Sequence, residues 1–500
     1  MPRRPKAVEL PAIGALDRSA GNLGRQLAQA LREAVRSGSL QPGEFLPSTR
    51  LLAKSLGLAR GTVVETFEQL TAEGILESQT GAGTRVVQAL EAPFKTAGAT
   101  PSPVAASQPA ARSARAAAFA KLAQQLTPLP PQPFSVSVPV GRTAPLDDWR
   151  RIGNRIRATA AGAPAGYDHP QGVPALREAV ADYIRRSRSV RCHPDQIIIT
   201  SGTQQGLYLS CQVLLEAGDT AWVENPAYPG ITSILENTGW RDSVARVPVD
   251  AEGIDVEAGI GLAPHARAAF VTPSHQYPLG MPMSMARRKA LLTWAQAHNA
   301  WIVEDDYDSE MRYAGHPFPS LQGLGPERVV YLGTFSKILF PSLRLGYAVV
   351  PEGMTAAFCG ARALMDRHPP STDQHVLATF MQEGHLDRHI RRIRSVYAER
   401  REQLVEMLER LLPPELAWVQ PCDQGLHLLV WLADSIDDCR LSAQALEAGV
   451  SVRPVSPMYA DKGRPGLILG LGDFSREQTE AAVKRLALAI QFAGTAYSLR

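Results

Sequence analysis

The feature that most constrains the fold is a series of short apolar runs separated by helical patterns, which begins near residue 134. Continuous apolar runs are typical of strands buried on both faces, and helical segments between such strands provide parallel crossovers. We therefore predict a multidomain chain in which residues 134–500 form an α/β domain with a mostly parallel central sheet. The predicted strands are Ile197–Thr200, Thr220–Val223, Ala268–Thr272, Ala300–Val303, Val329–Leu332 and Leu345–Val350.

Composition supports several compact units and gives little net charge. With 500 residues, 45% of them hydrophobic, the chain has enough apolar surface for large cores, which excludes general disorder. Its 52 Lys and Arg and 49 Asp and Glu leave +3, and residues 1–88 alone hold 11 basic and 8 acidic residues. Five scattered cysteines without a Cys-x-x-Cys pair, and the lack of a long apolar run, predict a soluble cytoplasmic protein without a metal site or a membrane segment.

Residues 15–88 have the pattern of three short helices followed by a hairpin. Apolar residues four apart predict a first helix over 23–36, and turn and cap residues place a second over 48–57 and a third over 60–73. Two short strands then flank Thr80-Gly81-Ala82-Gly83. This order suits a winged helix-turn-helix whose third helix enters a DNA major groove. A small helical protein-binding module is the alternative.

The stretch QPGEFLPSTRLLAKSLGLARGTVVETFEQLTAEGILESQTGAGTRV resembles the winged-helix domain of GntR-type regulators. The resemblance implies promoter DNA as a partner. Ala59 occupies a place where that family usually has Ser or Thr, so a helix cap is expected to be missing there. The residues that the resemblance assigns to contacts with phosphates, guanine edges or the minor groove are Arg50, Arg60, Thr62 and Gly83.

Residues 89–133 are dominated by Ala, Pro, Ser and Gln, with few large apolar side chains. Such a stretch cannot bury enough apolar surface to offset the entropy lost on ordering. We predict a flexible linker, with a short Ala-rich helix near 111–125.

Four polar motifs of the larger domain follow predicted strands. Lys337 comes just after one strand, with Arg344 seven residues later, and a lysine in such a place can form a Schiff base with an aldehyde. Thr200-Ser-Gly-Thr-Gln-Gln-Gly206 opens a helix whose first amides suit a phosphate. Asp305 can keep a pyridine nitrogen protonated, and Tyr228 offers a face for a planar ring. These motifs meet at the carboxyl edge of the sheet, where open α/β sheets bind ligands.

Together these motifs, with Tyr167-Asp-His-Pro-Gln-Gly172, resemble fold-type I aminotransferases from about residue 134 to 490. The resemblance implies pyridoxal 5'-phosphate (PLP) as cofactor, bound as a Schiff base to Lys337. It further implies that Asp305 pairs with the pyridine nitrogen, while Tyr307 donates to the ring hydroxyl. Tyr228 is implied to stack on the ring. The residues implied to bind the phosphate or line the cofactor site beside it are Gly202, Thr203, Gln204, Ser336 and Arg344.

Two departures from the aminotransferase pattern bear on activity. The usual Asn-Pro-x-Gly is replaced by Ser274-His-Gln-Tyr-Pro-Leu-Gly280, so Tyr277 occupies the place of the asparagine that contacts the ring hydroxyl. The arginine that normally binds a substrate carboxylate is missing from the apolar stretch around Ile468. Arg453 and Arg464 are nearby alternatives for an effector carboxylate, and both are equally compatible with solvated loop charges.

A winged helix, a linker and an aminotransferase-like domain, in this order, resemble the MocR subfamily of GntR-type regulators, including the segments SHQYPLG and EDDYDSE. We expect a PLP-dependent, homodimeric transcriptional regulator that senses PLP or an amine, with weak or absent transaminase activity. An active aminotransferase carrying a DNA-binding domain is the alternative. A third hypothesis is a DNA-binding scaffold whose large domain serves only for dimerisation.

Overall fold

The computed structural model describes residues 13, 16–79, 83–88, 113–125, 131–136, 144–162, 164–315 and 318–498. The chain divides into two compact units, Met1–Arg112 and Ser113–Arg500. The predicted linker is therefore divided: residues 89–112 lie outside the described residues, and the rest belongs to the larger unit. In the described part of the chain, no helix is long and apolar enough to cross a lipid bilayer.

The smaller unit consists of three helices and a hairpin, as the pattern predicts. Its elements are α1 (Leu23–Arg36), α2 (Thr49–Leu56), α3 (Arg60–Ala72), β1 (Leu76–Gln79) and β2 (Gly83–Val86), the two strands pairing antiparallel. The Ser48 hydroxyl caps α2 by accepting a hydrogen bond from the Leu51 amide at 3.3 Å, and Gly57 ends it in the left-handed conformation. Ala59 provides no side-chain cap to α3, as expected. The turn residues 80–82 lie outside the described residues.

One apolar core holds these elements together. Leu27 and Leu31 of α1 are buried against Val63, Phe67 and Leu70 of α3. This spacing of three or four residues puts one face of each helix inward and leaves the start of α3 exposed. The unit therefore presents the amino end of its third helix to solvent.

The larger unit alternates strands and helices. Its helices are α4 (Ala114–Gln125), α5 (Leu146–Arg157), α6 (Pro174–Arg188), α7 (Thr203–Leu214), α8 (Pro229–Thr238), α9 (Val256–Leu262), α10 (Met285–Ala297), α11 (Leu321–Leu324), α12 (Thr355–Asp366), α13 (Thr372–Gln382), α14 (His385–Leu411), α15 (Asp438–Glu447) and α16 (Arg476–Ser498). Its strands are β3 (Ile197–Thr200), β4 (Ala221–Asn225), β5 (Val244–Asp250), β6 (Gly253–Ile254), β7 (Ala268–Val271), β8 (Trp301–Asp306), β9 (Val329–Thr334), β10 (Gly346–Val349), β11 (Ala417–Val419), β12 (His427–Leu432), β13 (Arg453–Pro454) and β14 (Gly466–Gly470). All six predicted strands are present, within two or three residues, and α4 is the Ala-rich helix expected within the linker.

The central sheet has eight strands in the order β3-β10-β9-β8-β7-β4-β5-β6. Its core, β9-β8-β7-β4-β5, is parallel, whereas β10 runs antiparallel to both of its neighbours. Ile197 and Ile199 of β3 belong to one hydrophobic cluster and Ile198 to another, because successive strand residues face opposite sides. Both faces are therefore covered, as the continuous apolar runs predict.

A second, antiparallel sheet of four strands follows in the order β11-β12-β14-β13. Every residue of β12 and of β14 is buried. The first residues of β12 and β13 border the carboxyl edge of the central sheet, because His427 and Arg453 line the same cavity as residues from that edge. The second sheet thus contributes residues to the cavity at the carboxyl edge of the central sheet.

Candidate functional site

A cavity of about 210 Å³ opens at the carboxyl edge of the central sheet. It collects side chains that follow β3, β4, β7, β8 and β9, together with residues from the start of β12 and β13. Ligands of open α/β sheets bind at this edge. The cavity is lined by Val136, Thr203, Gln204, Tyr228, Thr272, Tyr277, Asp305, Tyr307, Thr334, Ser336, Lys337, Pro341, Arg344, Leu426, His427 and Arg453.

One end of the cavity has the features of an anion site. Gly202 caps the amino end of α7 with a φ of 79°, and a Cβ there would approach the Arg344 Nη2 to 3.0 Å. Arg344 Nη2 donates to the Ser201 carbonyl at 2.8 Å, which holds the guanidinium beside the helix terminus. Exposed amides at a helix amino end and a guanidinium together attract a phosphate. Only glycine gives this close approach without strain.

Asp305 lies in β8, lines the same cavity and is buried. Burial raises its pKa to about 7, the nearby Asp306 and Asp308 act in the same direction, and Lys337 opposes them. Its Oδ1 has no hydrogen-bond partner among the described residues. A buried acceptor of this kind is expected to bind a donor such as a protonated ring nitrogen.

Lys337 lies three residues beyond β9 and lines the cavity. Burial lowers the pKa of its ammonium group, and the positive charges of Arg453 and Arg344 lower it further, against the attraction of Asp308 and Asp305. A lowered pKa increases the neutral amine, which is the form that attacks a carbonyl carbon.

Three tyrosines form an aromatic wall. The rings of Tyr228 and Tyr277 meet edge to face at 5.5 Å, and those of Tyr277 and Tyr307 at 5.9 Å. The Tyr228 hydroxyl donates to the Gln204 Oε1 at 3.3 Å. Tyr277 contacts both of the other rings and lines the cavity.

His275 and Gln276, which precede Tyr277 in the same loop, are buried behind this wall. The Nδ1 of His275 is 3.0 Å from the Tyr307 hydroxyl and 2.9 Å from Asp308 Oδ2. Gln276 donates to Glu224 Oε2 at 3.2 Å and to nearby carbonyl groups. His275 thus contacts the tyrosine hydroxyl, whereas Gln276 supports the loop.

The two arginines near the carboxyl terminus have different surroundings. Arg453 lines the cavity, and its charge lowers the pKa of Tyr277 against the larger opposing effect of burial. Arg464 is exposed, with its guanidinium 4.3 Å from the ring centre of Trp431 and 5.3 Å from that of Trp418. Arg453 therefore shares the cavity with Lys337, whereas Arg464 lies outside the cavity against two tryptophan rings.

Sequence reasoning missed several cavity residues. Thr272 follows β7, and its hydroxyl donates to Glu224 at 2.7 Å. His427 begins β12, and burial together with the charge of His275 lowers its pKa to about 4. Neither residue stands in a distinctive motif. Thr272 is the last residue of a predicted strand, and that position is a weak signal of a site residue. No pattern in the sequence singles out His427.

The candidate DNA-binding residues lie on the smaller unit. Arg50 in α2 and Arg60 at the first position of α3 are exposed, and Thr62 is partly buried in the first turn of α3. Gly83 opens β2 with a φ of 104°, a conformation that favours glycine. The two arginines are therefore accessible to a ligand at the end of the third helix.

The hydrogen-bonding groups that line the cavity match those that PLP requires. Besides Asp305 Oδ1, the buried Ser336 Oγ has no hydrogen-bond partner among the described residues. A carboxylate suits a pyridinium N–H, and a hydroxyl near a guanidinium and a helix amino end suits a phosphate. The unpaired atoms are thus of the two kinds that this cofactor requires.

Comparison with known proteins agrees with both units. Residues 133–486 match the family "Aminotransferase class I and II", and residues 23–86 match "Bacterial regulatory proteins, gntR family". The chain is 37% identical to the probable rhizopine catabolism regulatory protein MocR of Rhizobium meliloti, over 91% of each chain. It is 32% identical to the HTH-type pyridoxine biosynthesis transcriptional regulator PdxR of Corynebacterium glutamicum, over 90% of this chain and 92% of that one.

Among solved structures, the larger unit resembles LysN, the α-aminoadipate aminotransferase of Thermus thermophilus, complexed with N-(5'-phosphopyridoxyl)-L-leucine. The TM-score is 0.67 and the identity 28%, over 73% of this chain and 92% of that one. The fold and the cofactor-derived ligand of this neighbour support PLP binding.

A winged helix-turn-helix and a fold-type I aminotransferase domain in one chain define a class of bacterial transcription factors. Within that class, this chain belongs to the MocR-type regulators of the GntR family.

Proposed function

We propose that this protein binds promoter DNA through its winged helix and senses an amine-containing carboxylate through a PLP site centred on Lys337. The observation that carries the proposal is the presence of Arg453, a guanidinium outside the cofactor-binding set, in the same cavity as Lys337 and Asp305. An effector with an amine and a carboxylate can engage both ends of such a cavity.

Each predicted cofactor residue has a distinct task in this proposal. PLP supplies an aldehyde that reacts reversibly with amines and a ring that attracts electrons. Lys337 provides the amine that links to the cofactor, and its lowered pKa favours the reactive form. With the cofactor bound, Asp305 would hold the proton on the ring nitrogen, and Tyr228 would cover the ring face. Tyr307 would donate a hydrogen bond to the ring oxygen, and His275 would orient that hydroxyl from behind.

The phosphate would be bound by the residues around the start of α7. The backbone amides of Thr203 and Gln204 supply donors, with Gly202 giving the space for close approach. Ser336 and Arg344 provide a hydroxyl and a guanidinium on the other side. This set anchors one end of the cofactor and leaves the Arg453 side open to the effector.

We further propose that the protein is a homodimer. Leu364 on α12 is 92% exposed and Tyr167 is 77% exposed, and large apolar side chains with such exposure favour a protein partner. The ring of Tyr167 also lies 4.4 Å from the guanidinium carbon of Arg367, just beyond α12, which joins these residues in one surface. A second copy of the chain is the partner that suits paired DNA half-sites.

Aminotransferase activity is the second candidate function. The nearly complete cofactor set around Lys337 favours it, whereas the position of the carboxylate-binding arginine does not. We therefore expect this protein to bind amines at the cofactor without converting them efficiently to keto acids.

A paired titration tests the proposal. The PLP-loaded protein is titrated with γ-amino acids and D-alanine while the visible absorbance of the cofactor and the affinity for promoter DNA are followed in the same samples. We expect at least one amine to change both signals with the same midpoint. If amines change the absorbance but never the DNA affinity, the regulatory proposal is wrong and the enzymatic alternative gains support.

A further inference from the structure

A thiol, an imidazole and a carboxylate lie in line behind the aromatic wall. Cys422 Sγ is 3.6 Å from His275 Nε2, and His275 Nδ1 is 2.9 Å from Asp308 Oδ2. Asp308 is in turn held by the Leu426 amide, which donates to its Oδ2 at 3.2 Å. This is the order of groups that activates a nucleophilic thiol: a base beside the sulfur and an orienting carboxylate behind the base.

Two glycines make room for this arrangement. A Cβ on Gly425 would lie 2.0 Å from His275 Cε1, and a Cβ on Gly280 would lie 3.2 Å from His275 Nε2 and 3.5 Å from Cys422 Sγ. Both glycines also have positive φ, 86° and 84°. The backbone therefore closes around the imidazole and the sulfur in a way that side chains at these positions would block.

The charges around the pair favour a thiolate beside an imidazolium. Burial opposes both charged forms, yet Asp308 raises the pKa of His275 to about 10, and His275 lowers the pKa of Cys422. Among the described residues, the other titratable groups that face the pair include Tyr307, Tyr313, His427 and Arg401.

The remaining four cysteines show the opposite shift. Burial raises the pKa of Cys192 to about 11 and raises those of Cys211, Cys359 and Cys439. Cys439 is nevertheless exposed, whereas Cys422 is only partly exposed. Cys439, which is more exposed but has a raised pKa, is therefore a control for Cys422, which is less exposed but has a lowered pKa.

We propose that Cys422 is a peroxide-reactive thiolate activated by His275 and Asp308. The sulfur attacks one peroxide oxygen, the S–O bond forms as the O–O bond breaks, and the leaving hydroxide takes the proton of the His275 imidazolium. The products are a sulfenic acid, neutral His275 and water, so the sulfur loses two electrons and the peroxide gains them.

The surroundings also suit the oxidised product. The carbonyl oxygens of Gly280 and Gln424 lie 3.4 and 3.3 Å from Cys422 Sγ, where they accept the proton of the neutral thiol. The same oxygens are placed to accept the hydrogen of an S–OH group. His275 connects the thiol with Tyr307, because it contacts both the sulfur and the tyrosine hydroxyl.

Alkylation rates test the activation. Full-length protein is treated with iodoacetamide between pH 5.5 and 9, and the modified fraction of each cysteine is measured by peptide mass spectrometry. At pH 6.5 to 7, we expect Cys422 to react about tenfold faster than Cys439 in spite of its lower exposure, because a lowered pKa increases the thiolate fraction. Equal rates, or a faster Cys439, would overturn the proposal.

Peroxide and matched variants test the chemistry and its cause. After hydrogen peroxide treatment, dimedone should label Cys422 in the wild type and in Cys439→Ser, and label no peptide at that position in Cys422→Ser. His275→Gln should slow the alkylation of Cys422 near neutral pH about tenfold while leaving Cys439 unchanged. Folding of this variant is checked by circular dichroism, and Asp308→Asn, which keeps the histidine, provides a second test in the same direction. If both folded variants keep the wild-type rate, the thiol is not activated by this pair.

Discussion

Arg453 lies directly opposite Ile468 in the antiparallel pair of β13 and β14. Opposed residues of an antiparallel pair put their side chains on the same face, so Arg453 projects from the strand next to the apolar stretch around Ile468, where the resemblance to aminotransferases implies a carboxylate arginine. Ile468 is fully buried beside Tyr277 in an apolar cluster. The positive charge of this strand pair thus lies on β13, with its Cα roughly 5 Å from that of Ile468.

Replacement of Arg453 should weaken the binding of carboxylate-bearing amines. Arg453→Gln keeps a polar side chain but removes the charge, and a hydrogen bond to a charged group is worth about 1.5–3 kcal/mol, or roughly 10- to 150-fold in affinity. Titration of the PLP-loaded protein, followed by visible absorbance, measures the effect.

The control for this prediction is Arg464→Gln, since Arg464 is exposed and stacks on tryptophans outside the cavity. A simple alkylamine without a carboxylate should bind equally to the wild type and to Arg453→Gln. If Arg464→Gln shows the larger loss, the assignment of the carboxylate site is wrong.

The buried Asp305 should make the cofactor-free protein less stable as the pH rises. Its folded pKa of about 7 lies above the ordinary value of 3.8, so the folded state binds more protons between those values. The free energy of unfolding therefore falls as the pH rises from about 4 to 7, by up to 1.4 kcal/mol per pH unit for one group, and stays low above 7.

Asp305→Asn should remove the contribution of this carboxyl to the slope, whereas the buried Glu224, Glu304 and Glu310, whose pKa values burial also raises to about 7, keep theirs. Because Asn cannot ionise, the cofactor-free variant should gain stability relative to the wild type at pH 8 and lose that advantage at pH 4. Urea unfolding followed by tryptophan fluorescence reports the larger unit alone, since all seven tryptophans belong to it. The exposed Asp461→Asn serves as the control, and a pH-independent difference for Asp305→Asn would contradict the prediction.

The strands and helices were predictable because their patterns are local. The apolar runs predicted six of the eight strands of the central sheet and missed β5 and β6, and cap residues such as Ser48 and Gly57 marked the ends of α2. The antiparallel direction of β10 was not predicted, because a buried strand has the same apolar pattern in either direction.

The site was predictable where its residues follow strands in recognisable motifs, as at Lys337 and Asp305. Sequence alone left Arg453 and Arg464 equivalent, because the face on which a side chain lies depends on the register between β13 and β14. His427 was missed because the second sheet brings it to the cavity from a distant part of the chain, and such a contact leaves no local pattern in the sequence.

Arg60 should be a principal determinant of DNA affinity. It is exposed at the first position of α3, where a recognition helix meets base edges, and loss of one such contact costs about 1–3 kcal/mol. Arg60→Ala should therefore weaken promoter binding roughly 5- to 150-fold in an electrophoretic or fluorescence-anisotropy assay.

Arg36→Ala provides the matched control, because Arg36 lies at the far end of α1 and pairs with Glu33 at 2.8 Å. It removes the same charge with little expected effect on specific binding. Unchanged affinity in a folded Arg60→Ala protein would exclude α3 as the recognition helix.

The surface around Leu364 should carry the dimer interface. Leu364→Asp places a charge on α12 that would be costly to bury against a second copy. Sedimentation at micromolar concentration should show a dimer for the wild type and a shift toward monomer for the variant. Leu262→Asp is the control, since Leu262 is also exposed but lies on α9. A wild-type monomer at this concentration would refute the dimer.

Transaminase turnover should be much slower than about 1 per second in the wild type, a modest rate for an enzyme. A transaminase must bind the carboxylate so that the Cα–H bond stands perpendicular to the cofactor ring, and small errors of orientation cost orders of magnitude in rate. In the proposed function, Arg453 would bind the carboxylate from the neighbouring strand, so the amine would reach the cofactor with its Cα–H bond out of alignment.

The double variant Arg453→Ile, Ile468→Arg tests this explanation by moving the guanidinium from β13 to β14, where the resemblance to aminotransferases implies the carboxylate arginine. It should raise turnover at least tenfold, because the carboxylate would then align the reacting bond. Ile468→Arg alone should be less stable, since two guanidinium groups would face each other across the strand pair. Keto-acid formation from amino donors measures the rates. Fast turnover in the wild type would show instead that Arg453 already aligns the substrate, and the protein would then act as an aminotransferase that carries a DNA-binding domain.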